Sequence, residues 1–151
     1  MFGLLYNSEL NGFAPGDHSF TFAHFPISMA ASIAAIQVIE EENLIQRANQ
    51  MGKILTDGLW QLAERFELIG DIRGPGLMVG IELVKNRQTR EPARKEATRF
   101  IEEGLKRGVI FGESKYLGLG NIVKIKPALV INESQIERVL KVFEQILEVV
   151  S

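Results

Sequence analysis

The sequence predicts an α+β fold, a small mixed or antiparallel sheet with helices packed on one face. Three observations carry the prediction. The strands are few and short, the helices between them are long, and the connections suit antiparallel or mixed pairing. At 151 residues, 46% hydrophobic and 24% charged, the chain suffices for one ordinary domain with a genuine core.

The elements follow in order. Phe2-Gly3-Leu4-Leu5-Tyr6 reads as one opening strand, and Asn7 to Phe25 as a long irregular loop. Residues 2 to 25 hold five of the nine phenylalanines and both histidines, and long ordered loops of this kind usually serve a site or a partner. Pro26 suits a first helical turn, and Ile27 to Glu41 continues a helix that is apolar on nearly every side. Such a helix is expected to be buried all round, which asks for more protein than this chain supplies. Asn43 offers a side-chain cap, with Gln46 three residues on. Leu44, Ala48, Met51, Leu55, Leu59, Leu62 and Phe66 then mark one apolar helical face.

Ile69 to Ile72 reads as a short strand running into Arg73-Gly74-Pro75-Gly76, and Leu77 to Val84 as a longer buried one. Two glycines around a proline constrain that turn tightly; a cation beside them suggests a binding loop, but with its neighbours the turn reads as the hinge-like entry to the strand that follows. Lys85 to Arg90 is a polar connector to a third helix with Ala93, Ala97, Phe100, Ile101 and Leu105 inward. Gly108 ends that helix just after Lys106 and Arg107, cations that suit its C-terminal dipole. Val109-Ile110-Phe111 and Ile122-Val123-Lys124-Ile125 read as two more strands. The last helix carries Ile136, Val139, Leu140, Phe143, Ile146, Leu147 and Val150 on one face, with Ser134 and Glu137 at capping-box spacing.

Composition excludes several classes of function. Lys and Arg total 17 against 19 for Asp and Glu, and no basic stripe with interleaved aromatics suggests a nucleic-acid surface. The absence of cysteine removes disulfides, thiolate metal sites and a Cys nucleophile. No apolar run is long enough to span a bilayer, and the N-terminus lacks a signal-peptide pattern, so a cytoplasmic location is expected. His18 and His24 are read as structural or solvated, and no metal site is expected.

Three segments, in register, carry a family resemblance. Ile69-Gly70-Asp71-Ile72-Arg73-Gly74-Pro75-Gly76-Leu77-Met78-Val79-Gly80-Ile81-Glu82 resembles the small-domain signature of class III aminotransferases, pyridoxal-phosphate enzymes of fold type I. His18-Ser19-Phe20-Thr21-Phe22-Ala23-His24-Phe25-Pro26-Ile27 is similar to the family's threonine-phenylalanine stretch before a proline-led helix. Ile122 to Ile131 resembles its last strand, although the family usually has two prolines where this chain has Pro127 alone. The likeness covers Phe2 to Val150.

The resemblance implies that residues 26–151 are a C-terminal small domain with its leading helix. Residues 1–25 would be an interface and cofactor segment belonging to a large domain that this chain lacks. In the family that large domain carries the Schiff-base lysine, just before the position where this chain starts. Ser114-Lys115-Tyr116-Leu117-Gly118-Leu119-Gly120 resembles the lysine loop of another aminotransferase subgroup only superficially and sits in the wrong place. No catalytic residue is therefore assigned here. Pyridoxal 5′-phosphate is expected in the complete enzyme and none on this chain alone. The implied partners are the large domain, a homodimer partner, an amino donor and a 2-oxo acid.

Four residues map onto ligand contacts. Thr21, with Phe20, matches the family threonine that binds the cofactor phosphate of the neighbouring subunit, although Ala23-His24-Phe25 stands where glycine-glycine-asparagine is usual. Lys124 matches an arginine that grips the substrate carboxylate, but a lysine offers a point charge in place of a planar fork, and an outward-facing strand lysine is the competing role. Arg73 is a second candidate, with bonding to its own turn as the competing role. Glu82 is expected to pair with a cation. The alternative function is a truncated or split-gene remnant acting only in assembly or binding.

Overall fold

The computed structural model describes residues 25–114 and 120–151. The expected strand Phe2–Tyr6, most of the loop to Phe25, both histidines, and Lys115–Leu119 lie outside the described residues. The chain divides into two units, Met1–Asn43 and Leu44–Ser151.

In the first unit, α1 spans Pro26–Glu41 with proline in its first turn and Phe25 at its N-cap. None of its residues is buried, and Ile27, Ile33, Ile36 and Val38 are exposed. The burial expected from its all-round apolar surface is absent from this structure. Asn43 departs from expectation. Its φ is 50°, and its N–H donates to Glu40 O at 3.2 Å. Asn43 thus closes α1 in a left-handed conformation, where an N-cap residue would be extended.

The second unit opens with α2 (Leu44–Arg65), followed by β1 (Ile69–Arg73), β2 (Val79–Asn86) and β3 (Glu91–Pro92). After α3 (Arg94–Lys106) come β4 (Gly112–Ser114), β5 (Ile122–Ile125) and α4 (Glu133–Val150). Every pairing is antiparallel, in the order β1-β2-β5-β4, and β3 pairs with the end of β2.

The three helices cover one face of this sheet. From it Ile72, Val79, Ile81, Leu83, Val123 and Ile125 meet Leu55, Leu59, Phe100, Phe143 and Ile146 in one core. Phe100, Phe111 and Phe143 pack edge-on or tilted, with ring centroids 4.5 to 5.7 Å apart. Arg87 ties α2 to β1 by donating to Phe66 O at 2.9 Å and Ile69 O at 3.0 Å, and also to Ala63 O.

Several boundaries and one inward position differ from the sequence reading. The second strand begins at Val79, because Gly74 (φ 136°) and Gly76 (φ 51°) hold a turn closed by Met78 N–H to Pro75 O at 3.0 Å. Val109-Ile110-Phe111 is not a strand: Val109 N–H donates to Gly104 O and Gly108 N–H to Leu105 O, completing a Schellman stop to α3. The ladder starts three residues later, at Gly112. Leu105, expected inward, is 66% exposed, since the inward turn of α3 is taken by Gly104 against Phe111. The cap of α4 is Asn132 with Gln135, a full capping box, and Ser134 only donates to Asn132 Oδ1. Among the described residues no helix is long and apolar enough to cross a membrane.

Candidate functional site

The site lies on the sheet face opposite the helices. With alternate side chains buried, β1, β2 and β5 present Asp71, Arg73, Gly80, Glu82, Ile122 and Lys124 on this open face. Register aligns them in two rows. One row runs Arg73, Gly80, Lys124, Gly112, and the next Asp71, Glu82, Ile122, Ser114.

The first row is unusual in alternating cations with glycines. Gly80 leaves bare backbone between Arg73 and Lys124, two strand spacings or about 10 Å apart at their Cα atoms. On the far side, the Lys124 side chain crosses Gly112. A Cβ at Gly112 would lie 3.3 Å from Lys124 Cβ and 3.6 Å from its Cε.

Arg73 is held from the second row. Its Nη1 donates to Asp71 Oδ2 at 2.6 Å and its Nη2 to Glu82 Oε2 at 3.1 Å. Glu82 therefore pairs with a cation, and Arg73 binds carboxylates in place of the turn carbonyls. Among the described residues Lys124 and Lys126 have no ion-pair partner. Arg73, Lys124, Lys126, Ser114, Ile122, Met78 and the Gly74-Pro75 turn line a groove of about 280 Å³. Among the described residues Arg73 is met by Asp71 and Glu82, which leaves Lys124 and Lys126 as the groove's unpaired cations. Such a groove attracts an anion through a flexible point charge.

The structure thus brings Arg73 and Lys124 to one groove. Thr21 and Phe20, expected from the resemblance to bind the cofactor phosphate, lie outside the described residues. Ser114 and Lys126 were missed as groove residues. The Lys126 signal was present, since period-two alternation puts it on the face of Lys124. Among the described residues no group of His, Asp or Glu could hold a metal.

Comparison with known proteins identifies the family. The chain matches the Aminotransferase class-III family over residues 4–147 and belongs to that family. It is 35% identical over 136 residues to a leucine/methionine racemase of Thermococcus litoralis, covering 90% of this chain and 30% of that protein. It is 35% identical over 144 residues to a probable 4-aminobutyrate aminotransferase of Bacillus subtilis, covering 94% of this chain and 32% of that one. An aminotransferase structure from Bacillus anthracis superposes with a TM-score of 0.83 at 35% identity, over 87% of this chain and 30% of the other. The chain spans about 30% of the length of these relatives.

Proposed function

We propose that this chain serves as the C-terminal small domain, residues 26–151, of a pyridoxal-phosphate aminotransferase, with residues 1–25 as its interface and cofactor segment. The complete enzyme would move an amino group from an amine or amino acid to a 2-oxo acid. The observation that carries this reading is Lys124, set between Gly80 and Gly112 on the open sheet face with no ion-pair partner among the described residues. Family membership and the partial span of the relatives support it.

In this reading Lys124 binds a substrate carboxylate from one side. Arg73, fixed by Asp71 and Glu82, gives the groove mouth its shape, with its charge already met by those two carboxylates. Thr21 and Phe20 hold the cofactor phosphate across a homodimer interface. Pyridoxal 5′-phosphate, when bound, supplies the electron sink that the chemistry needs, together with the large domain's lysine. This chain alone binds no cofactor and does not transaminate, and its setting is cytoplasmic.

The test uses the chain as it stands. 4-Aminobutyrate is expected to shift the amide resonances of Gly80, Lys124 and Ser114, and Lys124→Ala to weaken that response at least tenfold. The purified chain with pyridoxal 5′-phosphate, 4-aminobutyrate and 2-oxoglutarate is expected to show no turnover. A reducible cofactor linkage to one of its own lysines, with turnover, would overturn the reading. One observation favours the second reading, an assembly module without a transaminase role: the exposed apolar residues of α1. It predicts association without any carboxylate response at Lys124.

A further inference from the structure

Strands β5 and β3 lie end to end along one edge of β2. β5 pairs with Val79 to Glu82, and β3 with Val84 and Asn86. Leu83 is the junction, and Asn121 fills it. Asn121 is 1% exposed, the one buried polar side chain among the described residues. Its Nδ2 donates to Leu83 O at 2.8 Å, while Leu83 N–H donates to Asn121 O at 2.8 Å. Leu83 O also accepts Ala93 N–H at 3.1 Å, immediately before α3. A buried amide left without that carbonyl would lose far more than one ordinary hydrogen bond contributes.

The position matters because the side-chain pattern of β5 does not determine its own register. A one-residue slip would bury Lys124 and is excluded. A two-residue slip preserves both faces. In one direction it brings Lys126 opposite Gly80, but sets Pro127 opposite Val79, where the ladder needs an N–H donor. In the other direction no proline intervenes. That slip puts Ile122 opposite Gly80 and Lys124 opposite Met78. It also moves Asn121 opposite Ile81 and takes its amide away from Leu83 O.

We propose that Asn121 is a positioning residue whose amide link to Leu83 holds Lys124, rather than Ile122, beside Gly80 in the anion-facing groove. This rests on the reading of Lys124 as the substrate-anion contact. Asn121 touches no substrate and acts through the register of β5.

Because Leu83 and Asn121 form a hydrogen-bonded pair, Gly80 and Lys124 three steps along form a non-bonded pair with closely spaced α-protons. A nuclear Overhauser contact between those α-protons reads the register directly. Two variants test it, Asn121→Leu, which keeps bulk, and Asn121→Ala, which removes the amide without crowding. The folded variants are expected to lose the Gly80–Lys124 contact, gain one between Gly80 and Ile122, and bind 4-aminobutyrate at least tenfold more weakly. A folded variant that keeps the Gly80–Lys124 contact overturns the positioning role, whatever its ligand response. Unfolding of both variants overturns it as well, since the amide would then be a general prop for the domain. If the contact moves while the 4-aminobutyrate response stays, the positioning role stands and the reading of Lys124 falls instead.

Discussion

Gly52 and Gly58 stand on the same helix, yet the space around them differs in kind. A Cβ at Gly52 would fall 2.3 Å from both C and O of Gly76, where α2 meets the Arg73-Gly74-Pro75-Gly76 turn backbone to backbone. A Cβ at Gly58 would meet Leu140 Cδ1 at 2.4 Å, the free end of a flexible side chain. Alanine gains up to about 1 kcal/mol of helix propensity at either position. At Gly52 overpacking against fixed backbone outweighs that gain. Gly52→Ala is expected to cost about 1–3 kcal/mol in urea unfolding, whereas Gly58→Ala changes the midpoint little. Equal costs would show that the turn yields as easily as a leucine. A second residue-scale effect concerns Glu103, whose carboxyl is lowered from 4.5 to about 2 by hydrogen bonds from Lys106 and then Arg107. A depressed carboxyl stabilises the fold above its unfolded value and loses that contribution as pH falls through the folded one. Glu103→Gln is therefore expected to lower the thermal midpoint at neutral pH, with the gap to the parent closing between pH 4.5 and about pH 2. A gap independent of pH would rule out the ionised pair as its cause.

At the scale of elements, caps and stops decide what periodicity leaves open. The apolar faces of α2 and α4 were legible, and Leu55, Leu59, Ile136, Phe143, Ile146 and Leu147 are buried as their spacing required. Their ends were not. Ser134 and Glu137 matched a capping pattern, but Asn132 takes the position because its Oδ1 accepts Gln135 N–H at 3.0 Å while Gln135 Oε1 accepts Asn132 N–H at 3.0 Å. Asn132→Ala is expected to lower stability by about 1 kcal/mol. Ser134→Ala, which removes only a donor to Asn132, should stay within about 0.5 kcal/mol. The reverse ranking in paired urea melts would restore the serine cap. The same limit explains Val109-Ile110-Phe111. Its β-branched composition reads as strand, but the Gly108 stop (φ 73°) claims the Val109 N–H, Ile110 is 87% exposed, and Phe111 turns into the Phe100–Phe143 cluster. Composition records β-propensity, and only tertiary packing shows which residue joins the ladder.

At the scale of the molecule, Arg73 and Lys124 could be named from motif likeness alone, but their alignment across Gly80 could not. It depends on the order β1-β2-β5-β4, which places residues 51 positions apart in sequence in one cross-strand row of one face. Asn121 escaped notice for the same reason, since its carbonyl partner is 38 residues away. The division of the chain has a consequence of its own. Every buried hydrophobic residue among those described falls at or after Leu44, while α1 contributes none. A polypeptide beginning at Leu44 is therefore expected to unfold in one cooperative transition, within about 0.5 kcal/mol of the whole chain. Ile27, Ile33, Ile36 and Val38 are exposed around one helix, and exposed apolar surface promotes association. Sedimentation should therefore find larger species in the whole chain and a monomer in the shortened one. A shortened chain that loses cooperativity would show that residues 1–43 complete the same folding unit, and one that still associates would move the adhesive surface off α1.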